Sequence, residues 1–319
     1  MLFLLTGCSK NSSETILKKT IEKIENLESY NLKGELQMIN NETIYKYDVS
    51  VVYMEEDFFK VSLKNKTNNH EQIILKNEEG VFVITPSLNK SFKFQSDWPY
   101  NNSQAYLLQS IIKDLKDDKE TTGIITKNGD IIFESKVNYI NNETLKKQKV
   151  YMDKKNNITK IEILDSNNKK NIIMEFQDIN YNQKYKKDYF SVDENTNVFK
   201  NTDNSNLLDD IVYPMYIPKN TKLLDHEEII SEDSKRVILD FDGESSFTLV
   251  QEKIYNNDKF ETNISNGNPI MIGNVFGNLE NDSLNWYDQG IEYFLVSDTL
   301  NNDELIKVAL SINNTNLIK

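Results

Sequence analysis

The sequence predicts an α+β protein in which a long antiparallel sheet lies under two helices and a smaller C-terminal α+β unit follows. Three observations carry this expectation. Apolar and polar residues alternate in successive runs between Asn31 and Phe176. Two stretches, Glu14 to Leu27 and Leu107 to Leu115, carry apolar residues at helical spacing instead. A polar segment, SVDENTNVFKNTDNSNLLDD, interrupts the pattern at residues 191–210.

In the first helix Ile16, Leu17, Ile21, Ile24 and Leu27 form the apolar stripe, and Asn11 and Glu14 stand as a capping pair at its start. The period then changes to two. Tyr45, Tyr47, Val49, Val51 and Tyr53 share one strand face, while Lys46, Asp48 and Ser50 face the other way. The same alternation returns in Phe59, Val61 and Leu63, in Phe92 and Phe94, in Ile131, Phe133, Val137 and Tyr139, and in Ile172, Met174 and Phe176. Turn signals such as Ser87-Leu88-Asn89-Lys90 and Asn128-Gly129-Asp130 separate the runs, so hairpins are the natural connections. The second helix, with Leu107, Leu108, Ile111, Ile112 and Leu115 inward, is inserted in mid-meander. A sheet with one apolar face must cover it, and these two helices are the candidates.

Beyond the polar segment, YPMYIPKNTKLL opens a second unit, and Val237 to Phe241 and Phe247 to Val250 read as strands. SLNWYDQGIEYFLVSD reads as a hairpin turning at Asp288-Gln289-Gly290, and NNDELIKVALSI as a closing helix with acids in its first turn. The expected divisions are residues 1–8 as a truncated signal, 9–192 as the sheet domain, 193–210 as a linker and 211–319 as the second unit.

Composition excludes several classes of function. The chain has 319 residues, 38% hydrophobic and 27% charged, as in folded proteins. Its formal net charge is −13 and Arg236 is its sole arginine, so a basic nucleic-acid track is excluded and anionic lipid headgroups are repelled on average. One cysteine, Cys8, and two histidines, His70 and His226, make neither a disulfide nor a zinc set. No metal or other cofactor is expected.

Asp240-Phe241-Asp242-Gly243-Glu244 lacks the acidic spacing of a calcium loop and reads as a strand end. Glu55-Glu56-Asp57 reads as a solvated turn between strands, and both histidines read as surface residues. Gly273 and Gly277 lie outside any membrane-length helix, and acceptor motifs such as those at Asn41 and Asn142 are expected by chance in so asparagine-rich a chain. No activated nucleophile or acid/base pair emerges, so no enzyme is expected.

Leu5-Thr6-Gly7-Cys8, followed by the polar tether Ser9-Lys10-Asn11-Ser12-Ser13, resembles the lipobox of bacterial lipoproteins. That resemblance implies cleavage before Cys8 and a diacylglycerol on its sulfur, a membrane anchor that needs no spanning helix. Met1 to Leu5 is shorter than the roughly 7–15 apolar residues of a signal, so the true start is expected upstream. Together with the amphipathic helix, the tyrosine-rich strands and SDWPYNNSQAYLLQSIIKDL, this resembles the LolA/LolB-like lipoproteins, particularly the GerS-related sporulation and germination lipoproteins of Gram-positive bacteria.

The family resemblance, over roughly Ser9 to Val192, implies an unclosed β-barrel, a half-barrel wrapped around helices, with an apolar cavity for acyl chains. Tyr47, Val51, Phe94 and Phe133 would line that cavity if it is open. The chain departs from the carriers in having no arginine before Arg236 to lock a lid. Residues from 211 onward resemble the DUF4367 family, which supplies a fold expectation only. Two functions follow: a non-enzymatic binder of a lipid or other apolar ligand, tethered at the extracytoplasmic face of the cell membrane, or a scaffold that docks a cell-wall hydrolase in sporulation or germination.

The lipobox reading is tested by expressing the gene with its upstream codons in a Gram-positive host and labelling with a fatty acid. The wild type should be labelled and Cys8→Ala should not; equal labelling of both refutes the anchor.

Overall fold

The computed structural model describes residues 12–40, 43–139, 142, 144–196, 211–232, 234–254, 260–273 and 275–313. Helix α1 (Ser13–Glu25) leads into β1 (Ser29–Asn40), β2 (Thr43–Met54), β3 (Phe58–Asn65), β4 (Glu71–Asn77), β5 (Gly80–Thr85) and β6 (Lys90–Phe94). Helix α2 (Leu108–Asp117) follows, then β7 (Thr122–Ile125), β8 (Ile131–Lys136), β9 (Leu145–Met152), β10 (Ile158–Asp165) and β11 (Lys170–Tyr181). These eleven strands form one antiparallel sheet in which β1 pairs with both β2 and β11, so the two halves of the meander meet at its centre. Among the described residues the outermost strands of this sheet do not pair with each other, so the barrel is open. The fold is α+β, as expected, with an antiparallel half-barrel covered by helices.

The period-two runs become strands because each buries one face. Tyr45, Tyr47, Val49 and Val51 are buried while Lys46 and Asp48 are exposed. The α2 stripe is buried entire, Leu107, Leu108, Ile111, Ile112 and Leu115 all being nearly inaccessible. At the start of α1 the Ser12 hydroxyl accepts from the Thr15 N–H, so Ser12 is the cap; Asn11 lies outside the described residues. Strand β8 ends at Lys136, which leaves Val137 and Tyr139 in the connection that follows it.

Strands β4 and β5 bury both faces, because Val192 and Phe260 cover Ile73, Leu75, Phe82 and Ile84 from the convex side. Helix α3 (Val192–Thr196) lies there, with Asn195 buried and bonded to the carbonyls of Tyr189 and Ser191. The expected linker therefore begins in packed structure, and residues 197–210 lie outside the described residues.

The second unit contains β12 (Thr221–Ile230), β13 (Ser234–Gly243), β14 (Phe247–Ile254), β15 (Glu261–Ser265), β16 (Asn268–Ile272), β17 (Val275–Glu280), β18 (Ser283–Asp288), β19 (Ile291–Val296) and α4 (Asn302–Asn313). Seven of them form a sheet in the order β12-β13-β14-β19-β18-β17-β16, with Leu305, Val308, Ala309 and Ile312 of α4 packed on it. The β18–β19 hairpin turns where expected, with Gln289 and Gly290 both at positive φ, the conformation of a two-residue primed turn.

Strand β15 leaves this sheet and pairs in parallel with β6, becoming the twelfth strand of the first. The core is shared in the same way. Tyr287 stacks on Phe92 with ring centroids 4.8 Å apart, and Phe276 and Tyr287 belong to the buried cluster of the half-barrel. Buried Gln72 fastens the contact: its Nε2 donates to the Phe276 carbonyl at 3.1 Å, and its Oε1 accepts from the Phe276 N–H. The units are thus joined by main chain, ring stacking and a shared core.

Gln72→Ala removes both partners of a buried N–H and C=O at once, which costs about 2–4 kcal/mol. Urea unfolding followed by tryptophan fluorescence should show one transition moved to lower urea; an unchanged midpoint refutes the role given to Gln72.

Candidate functional site

A cleft of about 440 Å³ opens where the half-barrel meets the second unit. Leu36 and Met38 of β1, Tyr45 of β2, Leu145 of β9 and Ile172 of β11 form one wall. Ala105 and Tyr106, just before α2, and Tyr139 line it as well. Ile270 and Met271 of β16, Phe276 of β17 and Ile306 and Leu310 of α4 face them from the second unit. Asp165 at the end of β10, Lys169 in the connection that follows and Asn171 in β11 are among its polar lining residues. The size and the mostly apolar lining are those of a small-molecule pocket.

Two phenols stand out within it. The Tyr106 hydroxyl is buried and has no hydrogen-bond partner among the described residues. Tyr139, beside it, also lacks a hydrogen bond of normal geometry, although its hydroxyl approaches the Ala105 main chain. Burial pushes the pKa of both phenols well above the usual range, so they stay neutral donors. A buried donor without an acceptor costs free energy that a ligand oxygen can recover.

Tyr47, Val51, Phe94 and Phe133 are brought together, but in the packed core and not at the cleft. All four are at most 1% exposed. The physical reason is that three bodies fill the concave face. Helices α1 and α2 cover part of it, and Phe276 and Tyr287 from the second unit enter the rest. Tyr47 itself donates to the Gly273 carbonyl at 3.5 Å across the junction. Cys8 lies outside the described residues.

His70 is half-buried, not a surface residue, whereas His226 is exposed as expected. The Nε2 of His70 is sequestered without a partner, and burial pushes its pKa down to about 4. Asp288 is 2% exposed, its Oδ1 lacks a partner, and burial pushes its carboxyl up to about 7, with the Gln289 main chain opposing. Its charge bears on Tyr45 and Tyr47, which places it behind the cleft wall. Burial likewise raises Asp114 of α2 to about 7. Glu55-Glu56-Asp57 is a turn with Glu56 and Asp57 at positive φ, and Asp240 to Glu244 runs off the end of β13, both as expected.

Among the described residues no three His, Cys, Asp or Glu side chains are grouped to hold a metal, and no helix is long and apolar enough to cross a membrane. The sequence reading missed the cleft. Ile270, Met271, Ile306 and Leu310 are ordinary apolar residues of a strand and a helix, and only the joining of the two units makes them a wall.

The buried groups set opposite pH dependences. His70 is held neutral in the fold, so its contribution is present above about pH 6.5 and is lost as pH falls towards 4, by at most about 3 kcal/mol. Asp288 is held protonated, so its contribution is present below about pH 4 and is lost as pH rises through 7. Denaturant titrations at several pH values should show Asp288→Asn more stable than wild type at pH 8, by about 1–3 kcal/mol, with the difference vanishing near pH 4. A difference independent of pH refutes the titration of Asp288.

No protein-family model matches the chain, and the DUF4367 likeness of the second unit rests on its order of elements alone. Several solved structures resemble it, among them the two that follow. A chain of the complex of the CwlD amidase from Clostridioides difficile with the GerS lipoprotein is 18% identical, covers 55% of this chain and 97% of its own, and superposes with a TM-score of 0.32. A LolA superfamily protein from Nitrosomonas europaea is 12% identical, covers 58% and 99%, and has a TM-score of 0.33. At these scores neither transfers a residue or a partner. The sporulation protein YdcC of Bacillus subtilis (strain 168) is 32% identical over 316 residues, 98% of this chain and 93% of that protein. Aligned over nearly its whole length at that identity, the chain belongs to the family of the sporulation protein YdcC.

Proposed function

We propose that this protein is a non-enzymatic extracytoplasmic lipoprotein, anchored at the membrane through Cys8, that holds an apolar ligand carrying a hydrogen-bond acceptor in the cleft between its two units. The observation that carries the reading is the buried, partnerless Tyr106 hydroxyl in an otherwise largely apolar pocket. Such a group orients a ligand's oxygen while the walls take its hydrocarbon. Lys169 and Asn171 supply polar contacts for a headgroup. A lipid or other acyl species fits this chemistry, and the name of the YdcC relative supports a role in sporulation.

A second reading is favoured by the filled half-barrel. With Tyr47, Val51, Phe94 and Phe133 packed against the chain's own elements, the sheet is a rigid support, suited to docking a partner such as a cell-wall hydrolase.

Native mass spectrometry of the soluble form starting at Ser9, before and after delipidation and with added fatty acid, separates the two. The first reading expects one bound acyl species and its uptake on titration. Tyr106→Phe should weaken that binding about five- to tenfold while making the empty protein no less stable, because the hydroxyl it removes has no partner there. An unchanged mass with no uptake overturns the ligand reading and leaves the docking reading.

A further inference from the structure

Strand β12 is a ten-residue edge strand of the second sheet, paired on one side with β13. Among the described residues nothing pairs with its other edge. Every residue from Lys222 to Ile230 is exposed. The positions facing the same way as buried Val237 and Leu239 are Glu228 and His226, so the strand overhangs the core and is not packed on it. Its ends are apolar, Leu223 and Leu224 at one and Ile229 and Ile230 at the other, with Leu224 65% and Ile230 71% exposed. Its centre is acidic, with Asp225, Glu227 and Glu228. The chain that leads to it from Val212 adds exposed Tyr213, Met215, Tyr216 and Ile217.

A long edge with exposed apolar residues invites another strand. Charge decides which strand. A second copy, paired antiparallel so that Leu223 meets Ile230, sets Asp225 opposite Glu228 twice, and like charges directly opposite are destabilising. Of the nearby cations, Lys235 pairs with Glu228 at 3.0 Å and Arg236 with Glu252 at 2.7 Å, and Lys222 stands at the start of the strand, outside its acidic centre. We infer that β12 is a docking edge that accepts an extended segment of another protein, added as an eighth strand, with lysine or arginine at its centre and apolar residues at its ends. This surface lies on an element that does not line the cleft, and its test leaves the ligand reading untouched.

The full chain is titrated with a ten-residue peptide bearing valine pairs at both ends and lysines in its centre, and with the same peptide carrying glutamates instead. The lysine peptide should bind and slow amide exchange along β12, leaving the edge strands β7 and β15 unchanged. The glutamate peptide should not bind. Asp225→Lys combined with Glu227→Lys, both surface changes, should weaken the lysine peptide at least tenfold with an unchanged urea midpoint. Equal binding to the variant, or protection elsewhere than β12, overturns the proposal. So does slow exchange of the β12 edge in the free protein, which would mean that the chain's own residues or a second copy already cover it; sedimentation tells these apart.

Discussion

The second unit is held against the first sheet by a buried amide that reads main chain, beside the pairing of β15 with β6 and the stacking of Tyr287 on Phe92. Gln72 occupies the concave face of β4, where its neighbour on the same face, Ile74, is apolar, and it answers both the N–H and the C=O of Phe276. A side-chain amide has the same donor and acceptor as a peptide group, so it completes what a missing strand would have supplied. The device is repeated. Gln251 accepts from the Val212 N–H at 3.0 Å and donates to its carbonyl at 2.6 Å, pinning the entry to the second unit. Gln148 donates to the Ile111 carbonyl and to the Ser135 hydroxyl, each at about 3 Å, tying α2 to β9 and β8. Each amide is buried, so each specifies one arrangement: a shifted partner would leave a polar group dry and unpaired.

The junction carries unsatisfied groups beside these satisfied ones. Gln72 lies on the strand that His70 leads into, and the Asp288 carboxyl stands near Tyr45 and Tyr47 on the other side. Burial favours the neutral form of each, and both hold an atom without a partner among the described residues. The apolar term dominates: burying Phe276 and Tyr287 contributes about 1.5–3 kcal/mol each, enough to offset an unpaired atom of about 1–3 kcal/mol. The join holds despite the buried Asp288 carboxyl, whose titration makes it pH-sensitive.

Much of this was legible in the sequence, and the exceptions have one cause. Strands with a wet face, such as Tyr45 to Tyr53, show their period because solvent selects every second residue. Strand β4 does not, because Ile73 and Leu75 are covered from outside by Val192 and Phe260 while Ile74 faces inward. Strand β15, Glu-Thr-Asn-Ile-Ser, carries no apolar alternation, since its bonds are Thr262 to Ser91, Glu261 to Lys90 and Asn263 to Tyr287, contacts between segments far apart in the chain. The three glutamines gave no signal either, for a buried and an exposed glutamine look alike until their partners are placed. Tyr47, Val51, Phe94 and Phe133 lie in one packed core, and which body covers them is a long-range property.

The lengths of the elements then explain where the cleft must be. Strand β1 has 12 residues and spans about 40 Å, whereas α1 with 13 residues and α2 with 10 reach about 20 Å and 15 Å. Two helices of that size cannot cover the concave face of such strands from end to end. They cover the end that holds Tyr30, whose hydroxyl donates to Gln109 of α2, and leave the end that holds Leu36 and Met38. The second unit closes most of the remainder through Phe276 and Tyr287, on the side fixed by Gln72. What is left between these covers and the sheet is the cleft, bounded by Tyr106 just before α2, Ile172 of the sheet and Leu310 of the second unit. Its place is therefore a consequence of helix length and of one amide clamp, and a change in either moves the pocket without touching a residue that lines it.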